Sequence, residues 1–377
     1  MSGQATSFVT STDDLAVALD ALAGSDFVAL DTEFMRESTY YPKLCLVQLA
    51  TLEHCAIVDP LALPQLDALW SFLGDRSRLK ILHAARQDLE VLAVQAPRAE
   101  PLAPIFDTQI AAALIGQSAQ IGYGSLVAHR LGHTLAKGHT RADWSRRPLS
   151  EEQLEYAADD VRYLAPLYVD LRKELGQIGR LHWLQEEMQE LERFDLNKTE
   201  PQTAWQRLKG LDRLRPAQRA TAKLLAQWRE VLAMKHDKPR GWILTDEALR
   251  EISERMPTDV KDLERIGSLP AGVVRRRAQE LLELVERGEK TQDSEAGLAR
   301  PLRPEPEQLA LVTKLMTFVR GQAHGLRISP EILATRRDIE QFVFTGRADR
   351  LLSGWRGEVI GERLVSLASA AEQNQQI

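Results

Sequence analysis

The segment VALDTEF places Asp31 and Glu33 at the end of a short apolar run. Side chains alternate along a strand, so these two acids face the same way, and carboxylates held together repel unless a cation lies between them. A hard divalent ion with oxygen ligands answers that need; two solvated acids at a strand end is the plainer reading. Asp88, in ILHAARQDLEVL, is a third candidate. On a helix running from Ala85 it shares a face with Val91 and Leu92, although an acid in a first turn also answers the helix dipole. Glu90 falls on another face and reads as solvated. The third segment is the most telling. In EYAADDVRYLAPL, Tyr156, Asp160, Tyr163, Leu164 and Leu167 recur at the spacing of a buried helical stripe, while Asp159 is turned about 100° away. A carboxylate on a buried stripe needs a partner, and no Lys or Arg shares this one. A metal shared by Asp31, Glu33, Asp88 and Asp160 meets the need, as in sites for phosphate chemistry.

Bringing these residues together takes a sheet with helices against it. Strands are predicted over 27–30, 44–50 and 55–58, three in succession and hence a meander, with a further buried strand over 79–82. Helices are predicted over 61–73 and 85–94, giving an α/β layer. Helical patterns follow over 108–115 behind the N-cap Asp107, over 125–131, and from 151 to about 175 behind a Ser150/Gln153 capping box. Beyond Asp195 the strand signal disappears. Helices are expected near 203–208, 216–235, 246–256, 260–266 and 273–287, then near 308–323, 330–335, 337–344 and 357–372. The two helical blocks read as a diverged repeat, with Thr245–Leu249 echoed by Ser329–Leu333, and Val273, Val274 and Leu281 by Val359, Ile360 and Leu367. The predicted organisation is an α/β domain over 1–195, a helical domain over 202–288, a Pro- and Gly-containing linker over 289–306, and a second helical domain over 307–377.

A chain of 377 residues suits two or three domains. Nothing approaches the roughly 20 apolar residues of a membrane helix, and the N-terminus lacks a signal-peptide layout, so a soluble cytoplasmic protein is expected. Two cysteines, Cys45 and Cys55, supply neither a disulfide framework nor a four-ligand zinc site. The net charge of -6 is uneven: residues 1–195 hold 17 Lys+Arg against 28 Asp+Glu, leaving 31 against 26 for the rest. The later half is the better polyanion binder, and Arg275, Arg276 and Arg277 are its densest basic run.

In order and spacing, ALDTEFMRESTYYPKLCLVQL, LHAARQDLEVL, DTQIAAAL and RADWSRRPLSEEQLEYAADDVRYLAPLY resemble the three exonuclease motifs of the DEDD superfamily in its tyrosine-containing DEDDy branch, most closely the bacterial ribonuclease D family. The helical blocks are similar to the tandem HRDC domains of that family, the second less so than the first. The resemblance implies a ribonuclease H-like α/β catalytic domain followed by two small all-α domains. It also implies a 3′ to 5′ exoribonuclease that releases nucleoside 5′-monophosphates and matures the 3′ ends of tRNA and other small structured RNAs. Its metal ligands fall on Asp31, Glu33, Asp88 and Asp160, and its water-orienting tyrosine on Tyr156. Two Mg²⁺ or Mn²⁺ ions would serve the reaction, Asp31 bridging both, Glu33 and Asp160 completing one site, and Asp88 orienting the second ion. Phe34, His139, Arg275, Arg276 and Arg277 are expected to touch RNA. His83 and Asp107 suit structural roles, and Tyr40 and Tyr41 suit packing at a strand entry. Two rivals are a DNA exonuclease resembling the Werner-type nuclease domains and a non-catalytic RNA binder. Two trailing helical blocks without helicase motifs favour the ribonuclease over the first, and the intact acidic set favours an enzyme over the second.

Overall fold

The computed structural model describes residues 4–96, 102–136, 138, 142–193, 200–291 and 305–373. They form two compact units: Met1–Met35, Leu44–Asp195 and Pro304–Ile377 make one, and Arg36–Lys43 with Leu196–Arg303 the other.

The first unit is built on a six-stranded sheet of β1 (Ala5–Val9), β2 (Phe27–Met35), β3 (Lys43–Ala50), β4 (His54–Val58), β5 (Leu79–Leu82) and β6 (Ile105–Asp107), ordered β1-β4-β3-β2-β5-β6. Strands β2, β3 and β4 are neighbours as the meander requires, while β1 and β6, each of five residues or fewer, are additions to the sequence reading. Pairs β1/β4, β2/β5 and β5/β6 are parallel and β3/β4 antiparallel. Central strands covered on both faces carry near-continuous apolar runs, as Leu44–Ala50 does, buried at every position. Pairing of β2 with β5 spans Phe27–Ala29, so the half of β2 that carries Asp31 and Glu33 runs past it.

Eight helices accompany the sheet: α1 (Thr12–Ala23), α2 (Asp67–Gly74), α3 (Arg86–Gln95), α4 (Thr108–Ala113), α5 (Tyr123–Leu131), α6 (Glu151–Arg162), α7 (Leu164–Gln177) and α8 (Leu181–Arg193). The Asp107 N-cap and the Ser150/Gln153 capping box are both formed. Two expectations are corrected. The helix expected from Leu61 starts only at Asp67, behind Pro60 and Pro64, which restrict the residues before them to extended backbone. The long helix expected over 151–175 is broken at Tyr163. Pro166 has no N–H for the carbonyl of Arg162, and its ring crowds that carbonyl.

The helices of the second unit are α9 (Pro216–His236), α10 (Arg240–Ile243), α11 (Asp246–Arg255), α12 (Val260–Glu264) and α13 (Ala271–Lys290). They close on their own core, including Leu225, Leu249, Ile252, Leu263 and Leu281. Gly288 lets α13 lie tightly on α9, since a Cβ there would stand 2.7 Å from the backbone nitrogen of Thr221. Loop 36–43 belongs to this unit: Asp237 accepts from the backbone N–H groups of Tyr40 and Tyr41 at 2.9 and 3.0 Å, and the Tyr40 hydroxyl donates to Glu230 at 2.5 Å.

Residues 305–373 form α14 (Pro306–Leu326), α15 (Pro330–Leu333), α16 (Arg336–Thr345), α17 (Asp349–Leu352), α18 (Gly354–Arg356), a π-turn over Gly357–Gly361, and α19 (Glu362–Gln373). They repeat the first block. Helices of 21, 4 and 10 residues start at 216, 240 and 246 in one and at 306, 330 and 336 in the other, 90 residues apart each time. Left-handed C-caps at Asp237 and Arg327 share that offset. The helix succession is repeated in the structure, but the first of the two correspondences read from the sequence, Thr245 with Ser329, was six residues out. Thr245 caps the same helix as Thr335, not Ser329, which opens the short helix before it. Successive helices that both open on a hydroxyl residue made the two registers alike.

Candidate active site

Strand β2 presents Asp31 and Glu33, and α6 brings Asp160 to them: one carboxylate oxygen from each of the three lies within 4.8 Å of the others. Asp88, in the first turn of α3 and buried, accepts from the Thr32 hydroxyl at 2.6 Å. The residue between the two strand acids therefore tethers the fourth carboxylate to the same strand. The turn that launches α3 is fixed by Asp107, whose carboxylate accepts from the N–H groups of Ala84 and Ala85 at 3.2 and 2.9 Å. His83 has both ring nitrogens occupied, 2.9 Å from the Thr108 hydroxyl and 2.9 Å from the Ile121 carbonyl. Both residues thus serve the frame.

No lysine or arginine among the described residues forms an ion pair with any of the four acids. Burial first, then Asp88, Asp160 and Glu33, pushes the Asp31 carboxyl well above its ordinary range. Glu33 is raised to about 8 by burial, Asp160 and Asp88. Asp160 is raised to about 7 by burial and Asp159, against the pull of its hydrogen bond from Tyr156. Burial raises Asp88 to about 6 although the Thr32 hydroxyl opposes it. Three converging carboxylates, with a fourth tied to the same strand through Thr32, fit hard divalent cations. Tyr156 bonds to Asp160, and burial together with Asp160, Glu33 and Asp31 raises its phenol, so it keeps its proton at neutral pH. Its ring lies 6.0 Å from that of Trp144.

The stripe expected on α6 is displaced. The buried side chains are Ala157, Ala158 and Val161, whereas Tyr156 and Asp160 are half-buried on its flank. Alanines let the helix approach the sheet closely, which brings flanking residues to the strand acids while leaving them open to a ligand. Asp159 pairs with Arg162. Phe34 is half-buried, one position beyond Glu33. His139 lies outside the described residues. Arg275 and Arg276 are exposed on α13 of the other unit, and Arg277 pairs with Glu280 at 2.6 Å. Sequence reasoning missed Tyr123. Burial, Asp160 and then Asp31 raise its phenol well above the ordinary value, and only its place at the start of a helix behind Gly122 could have signalled it.

The sheet, the acid cluster and the tyrosine are those of a nuclease. Residues 6–176 match the 3′-5′ exonuclease family model and residues 218–285 the HRDC domain model. Ribonuclease D of Acidiphilium cryptum is 36% identical over 95% of this chain and 92% of its own, and that of Granulibacter bethesdensis 34% identical over 95% and 91%. The crystal structure of Escherichia coli RNase D, described as an exoribonuclease involved in structured RNA processing, superposes with a TM-score of 0.87 at 33% identity, covering 97% of this chain and 99% of that one. The chain belongs to the ribonuclease D family and is an exoribonuclease. No helix among the described residues is long and apolar enough to cross a membrane.

Proposed function

We propose that the protein hydrolyses RNA from the 3′ end with the help of two divalent ions, Mg²⁺ or Mn²⁺, releasing nucleoside 5′-monophosphates, and that it trims precursors of tRNA and other small structured RNAs. The observation that carries this reading is the convergence of Asp31, Glu33 and Asp160 within 4.8 Å, with Asp88 tied to the same strand and no ion pair from a lysine or arginine among the described residues to balance them. Asp31, Glu33, Asp88 and Asp160 would hold the ions, which when bound would supply a water of lowered pKa and a counter-charge for the leaving oxygen. Tyr156, anchored on Asp160, orients the attacking water through its hydroxyl, and its raised pKa suits it to position rather than to remove a proton. Phe34, next to Glu33 in the chain, meets the terminal nucleotide. The HRDC domain and the helical block over 305–373, which we read as a second, diverged HRDC-like domain, help select structured RNA. Exposed Arg275 and Arg276 supply phosphate contacts from the first.

Asp31→Ala tests the reading: hydrolysis of a 3′-extended precursor tRNA in Mg²⁺ is expected to stop while RNA binding persists. Sequencing of the 3′ ends made by the unaltered enzyme is expected to show precursors shortened to a defined end. An Asp31→Ala protein that still hydrolyses would overturn the metal site, and equal degradation of precursor and mature tRNA would remove the trimming role.

A further inference from the structure

In an α-helix the N–H of each residue donates to the carbonyl four residues earlier, so Tyr163 would ordinarily bond to Asp159. Here the Tyr123 hydroxyl stands between them. It donates to the Asp159 carbonyl at 2.9 Å and accepts from the Tyr163 N–H at 3.2 Å. A side chain inserted into the ladder in this way bends or breaks a helix. The interrupted bond spans Asp160, one of the clustered carboxylates. Two independent causes meet at this point, since Pro166 also withholds a donor from the turn, and Tyr163 adopts φ -98° and ψ -5° at the break. The wedge is itself held. Tyr123 is the first residue of α5, and its ring lies 5.7 Å from that of His83, both of whose nitrogens are engaged.

We propose that Tyr123 is a positioning residue for the reaction: its hydroxyl, by replacing the backbone bond between Tyr163 and Asp159, sets the end of α6 so that Asp160 faces Asp31 and Glu33. The Tyr163 N–H also reaches the Val161 carbonyl; removing the Tyr123 oxygen lets it shift toward the Asp159 carbonyl, which tightens the turn and turns Asp160 away from the strand acids. The inference rests on the metal-site reading of those acids.

The test is Tyr123→Phe in the full-length protein, with Mn²⁺ binding measured by calorimetry without RNA, beside kcat and KM on a short single-stranded RNA. Loss of a residue that orients a metal ligand typically costs 10- to 100-fold in affinity, so Mn²⁺ binding is expected to weaken by about 10-fold or more, with kcat lowered and KM for RNA unchanged. Pro166→Ala reaches the same break from the other side by restoring a donor to the turn, and there too weaker Mn²⁺ binding is expected; it keeps the test open should Tyr123→Phe fail to fold. Unchanged Mn²⁺ affinity in both variants would overturn the proposal. So would a raised KM with Mn²⁺ affinity intact, which would make Tyr123 a substrate contact. Asp31→Ala in the same assay separates the two readings: if it too bound Mn²⁺ normally, the metal site itself would be wrong.

Discussion

The two helical blocks share one succession of helices and use it differently. In the first, the buried polar side chains find their partners inside their own unit: Arg229 donates through its Nη1 to the Leu244 carbonyl and to Asp246, and Glu230 takes Arg240 together with Tyr40 of loop 36–43, although the Nε atoms of Arg219 and Arg229 have none among the described residues. In the second they reach into the body that holds the catalytic sheet. Trp355 stacks on Trp183 of α8 at 4.5 Å and donates its indole N–H to Glu187 at 2.7 Å. Arg356 binds both oxygens of the same carboxylate, and the N–H of Ser329 donates to the Ala113 carbonyl at the end of α4. The difference is written in few residues. The last helical segment opens Ala271-Gly272-Val273 in the first block and Gly354-Trp355-Arg356 in the second. An aromatic ring and a buried bidentate ion pair at the opening of that segment make the second block part of the catalytic body.

The sharpest way to break this contrast is Glu187→Ala. Glu187 and Arg356 are both buried, and removing one partner of a buried pair strands the other charge, a cost of about 3 to 5 kcal/mol. Urea denaturation is expected to show a loss of that size, with faster amide exchange in α14–α19 and α8 but not in α9–α13. Glu187→Met combined with Arg356→Met is expected to recover most of it, because an apolar pair leaves no charge to solvate. A loss under about 1 kcal/mol for the single variant would mean that the second block is not integral to the body.

A smaller effect comes from the acids. Glu33 at about 8, Asp160 at about 7 and Asp88 at about 6 all lie above the ordinary range near 4, so without metal the folded state binds more protons than the unfolded chain. The contribution of these acids to the stability of the metal-free body is therefore fullest below the ordinary range and is lost as pH rises through about 8. Mg²⁺, which competes with those protons, is expected to raise the melting temperature more at pH 8 than at pH 6. Because α14–α19 share the body with the site, Mg²⁺ at pH 8 is expected to slow amide exchange there while leaving α9–α13 unchanged. Equal protection of both blocks would show that they form one cooperative unit.

Much of this was legible in the chain because chemistry and periodicity agreed. The alternation that puts Asp31 and Glu33 on one side of β2, and the four-residue step from Tyr156 to Asp160, are local facts that survive folding. What escaped depended on distant partners. Strand β1 has an exposed, partly polar sequence and exists through its pairing with β4. The α6 stripe failed because Pro166 breaks the period used to draw it, and the Tyr123 wedge joins residues 36 and 40 positions apart. The docking of the second block was hidden for the same reason, since Trp355 and Glu187 are separated by 168 positions.

The finest distinction lies within three adjacent residues. Arg275 and Arg276 are exposed, whereas Arg277 is half-buried and bound to Glu280, which also accepts from the Trp228 indole at 2.9 Å. In the second block Arg336 pairs with Glu340 and Arg350 with Asp338. An arginine already neutralised by a carboxylate releases fewer counterions from RNA than an unpaired one, so the slope of log affinity against log salt should report which block grips. Each lost phosphate contact removes about 0.7 to 0.9 from that slope. Arg275→Ala with Arg276→Ala is expected to flatten it for precursor tRNA without altering stability. Arg277→Ala should leave the slope unchanged and cost under about 1 kcal/mol, and Arg336→Ala with Arg350→Ala should leave it unchanged as well. If the second-block pair flattened the slope as much as the first, the two copies would share the RNA equally, and the contrast drawn from Trp355 and Arg356 would be one of docking alone.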